Sequence, residues 1–201
     1  MVEEIPEYGM DILRELINIG IGRAAGTLNE LTRARIILEV PVVEVIRMKE
    51  LVSHAASFNG AISSAVRIDF NGFIAGSTAL VFDKVGAAAL IYAITGEESD
   101  QPGMDGMMAE TLKEVGNICI NGIMGSIGNI LRERITYTPP RYEEGTVAAL
   151  FNRSAIDEQM LAVIVNTRFL VSEIQVNGYI MMVLEISSLE KILSRILALE
   201  G

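Results

Sequence analysis

Two side-chain pairs, Glu15 with Asn18 and Glu114 with Asn117, place a carboxylate and an amide three residues apart. On a helix that spacing brings both groups onto one face. Asp11, four residues before Glu15, shares the stripe; Glu110 takes its place in the second copy, and Gly22 or Asn121 extends it by a turn. None of these positions holds Lys, Arg or His. Two carboxylates beside an amide repel a free phosphate or an acidic metabolite. They call for a cation, either a metal or a partner's Lys or Arg. The amide offers a donor and an acceptor and does not titrate. It can orient a water molecule but cannot act as a strong base. That suffices when the bond to be cut is already activated, as in water-positioned phosphoryl hydrolysis. An acyl phosphate on an aspartate is such a bond.

A single Glu-x-x-Asn is common on solvated helix faces. Here it recurs, and each Asn is followed 23 residues later by a proline, Pro41 and Pro140. Solvation does not require Asn twice, because its helix propensity is only middling.

The recurrence belongs to a longer repeat. Residues 11–41 set against 110–140, an offset of 99, give ten identical pairs of 31 without a gap. They are Leu13/Leu112, Glu15/Glu114, Asn18/Asn117, Ile19/Ile118, Ile21/Ile120, Gly26/Gly125, Arg33/Arg132, Arg35/Arg134, Ile36/Ile135 and Pro41/Pro140. Two repeats are too few for a solenoid. They predict one pseudo-twofold domain over 1–201, with halves at about 1–96 and 107–201 sharing a sheet and a linker at 97–106.

The elements that must hold the stripe follow from periodicity and turn chemistry. Gly9–Leu31 has apolar residues at three- and four-residue steps, a helix. Arg35–Ile46 reads as a strand in which Pro41 marks an edge or a bulge. Residues 49–56 suggest a short helix. Ala61–Phe70 and Phe73–Phe82 are strands, and Asn71-Gly72 between them favours a tight hairpin. Asp83 can cap a helix to about Ile94. The order then restarts: a long helix over 107–131, an extended run from Ile135 to about Tyr142 with Pro139-Pro140, and a mixed segment at 145–152. Met160–Val171 and Ile174–Ile186 are strand-like, Asn177-Gly178 again lies between apolar runs, and Ser187 or Ser188 can cap a last helix to about Leu199. The two Asn-Gly hairpins match at an offset of 106.

Composition narrows the function. Half of the 201 residues are apolar, enough for a core, and the net charge is 16 − 26 = −10. That balance disfavours nucleic acid and anionic membrane surfaces. One Cys and one His exclude disulfide frameworks, cysteine zinc clusters and two-histidine metal motifs. The longest uncharged run, Val115–Leu131, has 17 residues and three asparagines, which fits a buried helix better than a membrane span. The acidic N-terminus lacks a signal-peptide apolar core, so the expected location is cytoplasmic. The Gly20-x-Gly22-x-x-Ala25 pattern resembles a dinucleotide loop but falls within a helix, where small residues serve close packing. Cys119 reads as a buried inert thiol, His54 as structural or surface, and Met104, Met107 and Met108 as packing at a helix start.

Asp11, Glu15, Asn18 and Pro41 together resemble the D-x3-E-x2-N-x22-P signature of the CheC/CheX/FliY family, phosphatases of the chemotaxis response regulator CheY. The second copy reads Glu110, Glu114, Asn117, Pro140 and departs only in its leading acid. The resemblance covers nearly the whole chain. Two motif copies, a length near 200 and an end at Gly201 fit the two-site members that carry no further domain. It implies an α+β fold with a largely antiparallel sheet and two long motif helices exposed on it. It implies that Asn18 and Asn117 each hold a water in line with the phosphorus, and that Glu15 and Glu114 bind the regulator's active-site Lys. Asp11 and Glu110 would support, and Pro41 and Pro140 would be structural. The regulator would bring Mg²⁺, so the chain would need no cofactor or metal of its own. Phosphorylated CheY and the receptor deamidase CheD are the implied partners. The alternative is a non-catalytic adaptor that binds CheY, CheD or both.

Overall fold

The computed structural model describes residues 7–32, 35–48, 50, 63–97, 104–146, 149–150 and 160–200. These form four helices, α1 (Glu7–Thr32), α2 (Lys84–Thr95), α3 (Met104–Leu131) and α4 (Ile186–Glu200). The strands are β1 (Ile36–Arg47), β2 (Ser63–Gly72), β3 (Gly76–Asp83), β4 (Ile135–Tyr137), β5 (Arg141–Gly145), β6 (Met160–Val171) and β7 (Ile174–Glu185).

All seven strands join one antiparallel sheet in the order β1-β6-β7-β3-β2-β4, with β5 also on β2. Each half lends its first strand to the other: β1 pairs with β6, and β4 and β5 pair with β2. Exchanging the halves therefore returns the same order read backwards. The centre is the β3–β7 pair, where Ser77 faces Val183 and Val81 faces Tyr179.

The main core lies between one sheet face and the four helices. From the helices come Leu13, Leu16, Ile17, Leu28, Leu90, Ile120, Ile127 and Ile192, and from the strands Ile36, Ile68, Leu80, Phe82, Val163, Phe169 and Ile180. Each such side chain contributes roughly 1.5–3 kcal/mol of burial. The inward positions of α1 recur in α3 at the repeat offset: Leu13 and Leu112, Leu16 and Val115, Ile21 and Ile120, Ala24 and Ile123, Leu28 and Ile127 are all buried. A smaller cluster on the opposite face joins Met48, Ala79, Val81, Leu150, Ile164, Met181 and Val183. No helix among the described residues is long and apolar enough to cross a membrane.

Both prolines of the repeat sit where an edge strand is interrupted. Pro41 lies between Glu39 and Val42, where the β1–β6 register shifts, and Pro140 separates β4 from β5. A residue without a backbone N–H fits these places at least cost. Asp83 caps α2 as expected, its Oδ1 accepting from Gly86 N at 2.5 Å.

Three local expectations are corrected. Phe70 pairs with Gly76, so the first hairpin turns over residues 71–75 and not over Asn71-Gly72 alone. Asn71 and Gly72 continue as strand because β4 takes them up, Asn71 facing Thr136 and Gly72 facing Ile135. Asn177-Gly178 is not a turn: the second reversal is Ser172-Glu173, with Val171 paired to Ile174. Gly178 lies inside β7, where a Cβ would stand 2.5 Å from the Phe82 ring. Third, α4 begins at Ile186, so Ser187 and Ser188 lie within its first turn; Ser187 Oγ donates to Glu185 Oε2 at 3.0 Å. His54 and all of the segment 49–56 but residue 50 lie outside the described residues, as does half of the segment 145–152.

Candidate functional site

α1 turns Leu13, Leu16, Ile17, Ile21 and Leu28 into the core and packs against α3, which leaves the opposite side to solvent. Asp11, Glu15, Asn18 and Gly22 are all exposed along that side. The close approach of the helices is set by Gly20: a Cβ there would lie 2.4 Å from Ile123 Cα. A Cβ on Gly122 would likewise lie 2.7 Å from Gly20 O and 3.1 Å from Ala24 Cβ in the same crossing. Of the glycines that resemble a dinucleotide loop, Gly20 is thus a packing device inside a helix, whereas Gly22 faces open space. Arg23 reaches across the crossing and donates to the buried Ser126 Oγ at 3.1 Å.

The connection from α1 into β1 is held by Asn29. Its Nδ2 donates to Ile36 O at 3.0 Å, and its Oδ1 accepts from Ile36 N at 2.5 Å. The second half closes differently, with Gly128 O accepting from Glu133 N at 2.9 Å and Arg132 at a positive φ of 54°. Asn29 carries the exit geometry of a motif helix, and nothing in its sequence spacing marks it.

On α3, Glu110 and Glu114 are exposed, while Asn117 is half-buried. Asn121 Nδ2 donates to Asn117 Oδ1 at 2.8 Å. The full exposure expected of the second stripe therefore fails at Asn117, because Asn121 in the next turn lies against it where the first copy has Gly22. Cys119 is fully buried and its thiol is pushed up to about 12 by burial, as suits an inert core residue. Met107 and Met108 are partly buried.

Each leading acid already has a cation. Asp11 accepts from Arg14 at 2.9 Å, and Glu110 accepts from Lys113. Arg14 and Lys113 occupy equivalent repeat positions. The stripe supplies positive charge at its edge, which a search of its own positions for Lys and Arg misses. Among the described residues, neither Glu15 nor Glu114 makes an ion pair. Nor do any three His, Cys, Asp or Glu side chains there converge as a metal site. What the arrangement offers, twice among the described residues, is one carboxylate without an ion pair beside one amide on a helix packed against the core.

No family model matches the chain. Its sequence is 24% identical over 169 residues to the CheY-P phosphatase CheC of Bacillus subtilis, covering 81% of this chain and 80% of that protein. Its fold superposes on Thermotoga maritima FliY with a TM-score of 0.76 at 18% identity, covering 98% and 99% of the two chains. The Borrelia burgdorferi CheX–CheY–BeF₃–Mg²⁺ complex gives 0.56 at 20% identity over 84% and 97%. The Helicobacter pylori FliM middle domain gives 0.64 at 12% over 95% and 99%. The fold is the α+β architecture shared by FliY, CheX and FliM. The chain is thus similar in sequence to a CheC and in fold to FliY, CheX and FliM.

Proposed function

We propose that this protein is a cytoplasmic phosphatase of the phosphorylated chemotaxis response regulator CheY, with two docking sites on α1 and α3. The observation that carries the reading is the repeated placement of Glu15 and Glu114, exposed and unpaired among the described residues, one turn before Asn18 and Asn117. An acid left without a cation suits a partner that brings one. A CheX–CheY complex among the structural neighbours and a CheY-P phosphatase among the sequence relatives point to the same partner.

In this mechanism Glu15 or Glu114 binds the regulator's active-site Lys and fixes the docking pose. The adjacent Asn enters the regulator's site and hydrogen-bonds a water in line with the phosphorus. Water oxygen bonds to phosphorus as the aspartyl oxygen–phosphorus bond breaks. Aspartate carboxylate and inorganic phosphate leave, and the water's proton goes to the phosphate. The regulator supplies the Mg²⁺ that stabilises charge on the phosphoryl oxygens. The chain contributes position only, which is what an amide can give. Pro41 and Pro140 act through the edge strands that follow the helices. CheD is the second partner carried by the family resemblance, to be tested by co-purification.

The decisive experiment follows CheY-phosphate decay with wild type, Asn18→Ala, Asn117→Ala and the double variant. The double variant is expected to lose about 100-fold or more of the acceleration. Hydrolysis unchanged in the double variant rejects the amides as catalytic. Wild-type protein that binds CheY without speeding its dephosphorylation establishes the adaptor instead.

A further inference from the structure

We propose that Asn121 is a positioning residue of the second site, and that it sets how fast that site turns over. This rests on the phosphatase reading above. Asn121 follows Asn117 by one helical turn and donates from Nδ2 to Asn117 Oδ1 at 2.8 Å. Its own Oδ1 is buried and has no hydrogen-bond partner among the described residues. An Asn in a helix interior is a weaker helix former than Ala, and a buried acceptor left unpaired is destabilising. Both marks count against a residue selected for the fold. At the same position of the first copy stands Gly22, exposed, with nothing within 4 Å of where its Cβ would be. The scaffold therefore accepts an empty position there.

What Asn121 does is fix one amide. With Oδ1 of Asn117 held by Asn121, the two Nδ2 hydrogens of Asn117 remain for a ligand. A water that accepts one of them keeps its other lone pair for phosphorus. Asn18 has no such restraint from Gly22, so its amide stays free in the docked complex and must stop rotating only as the water is lined up for attack, which costs side-chain entropy. The carboxylates that set docking, Glu15 and Glu114, are alike in exposure. The difference between the sites then falls on kcat and not on KM.

The test uses the full-length protein with one site disabled at a time. In an Asn18→Ala background only the second site remains, and in Asn117→Ala only the first. Adding Asn121→Ala to the former should lower kcat about two- to tenfold, the worth of one neutral hydrogen bond, at unchanged KM. Asn121→Asp, similar in size but unable to donate, should lose as much. Gly22→Asn in the Asn117→Ala background should raise kcat by a similar factor. Side-chain amide relaxation by NMR supplies a readout free of turnover: the Asn117 NH₂ group should become more mobile in Asn121→Ala. An active Asn18→Ala enzyme that keeps its kcat and a rigid Asn117 amide after Asn121→Ala overturns this inference and leaves the phosphatase reading standing. So does a loss confined to KM. If neither single-site enzyme hydrolyses CheY-phosphate, the phosphatase reading falls and the positioning role falls with it, whatever the amide mobility.

Discussion

Glu15 and Asn18 stand clear of the fold on α1, whereas on α3 Glu114 is exposed and Asn117 is sunk beside Asn121. The inward faces of the same helices differ far less. Leu13 and Leu112, Ile21 and Ile120, and Leu28 and Ile127 are all buried at matching positions. Packing thus constrains one face of both helices alike, because a shared core admits few changes of volume. The outer face carries no such constraint from the core. There the acid and amide recur in both copies, and the position one turn on differs, Gly22 in the first and Asn121 in the second.

The largest effect should come from confusing the two faces of α1. Gly20→Val would place a branched side chain against the Ile123 backbone, which cannot rotate away. We expect a loss of about 3 kcal/mol or more, read as a lower urea midpoint. Gly22→Val, two residues on and facing open space, should change stability by no more than ~0.5 kcal/mol. Equal midpoints for the two variants would break the distinction between a packed and a free face.

Next in size is charge reversal at Glu15 and Glu114, the carboxylates proposed to dock the regulator. Glu15→Lys with only the first site active, and Glu114→Lys with only the second, should each lower kcat/KM for CheY-phosphate by roughly 30-fold or more. The losses should be equal within error, since both acids are exposed and neither is ion-paired among the described residues. Unequal losses would extend the asymmetry from the amide to the carboxylate.

The sequence made the stripe legible because its spacing is local and repeated. Glu15, Asn18, Glu114 and Asn117 are placed by helix period alone. Long-range features were less visible. The outer limits of β6 and β7 could be read from apolar runs, but Asn177-Gly178 misled because the fold needs a glycine for the Phe82 ring and not for a turn. Asn71-Gly72 misled because β4, some 65 residues away, claims both as strand. The exchange of first strands between halves is likewise a matter of pairing, which periodicity does not encode. Arg14 and Lys113 stand at legible helix spacing, three residues after Asp11 and Glu110. They escape notice only when the stripe is read for its own members and not for its neighbours.

The glycines beyond the amides give a smaller and opposite effect. Gly26 and Gly125 are an identical repeat pair, and a Cβ at either meets nothing within 4 Å. Gly26→Ala and Gly125→Ala should each raise stability by about 0.5–1 kcal/mol through helix propensity, and the gains should add. Destabilisation at one site alone would show that its outer face is not open, and the comparison would have to be redrawn for that helix.

The smallest effect is expected at Arg14 and Lys113. Each holds the leading acid of its stripe, and exposed pairs of this spacing contribute only about 0.2–0.5 kcal/mol. Arg14→Gln and Lys113→Gln should therefore barely move the urea midpoint. Their use lies in the docking kinetics. Releasing Asp11 or Glu110 leaves a second uncompensated carboxylate beside Glu15 or Glu114. If the leading acid only supports, the local field rises slightly and the association rate with CheY-phosphate should grow less than about twofold at moderate salt. A much larger rise at either site would mean that the leading acid can itself take the partner's cation, and that its own Arg or Lys normally holds it back.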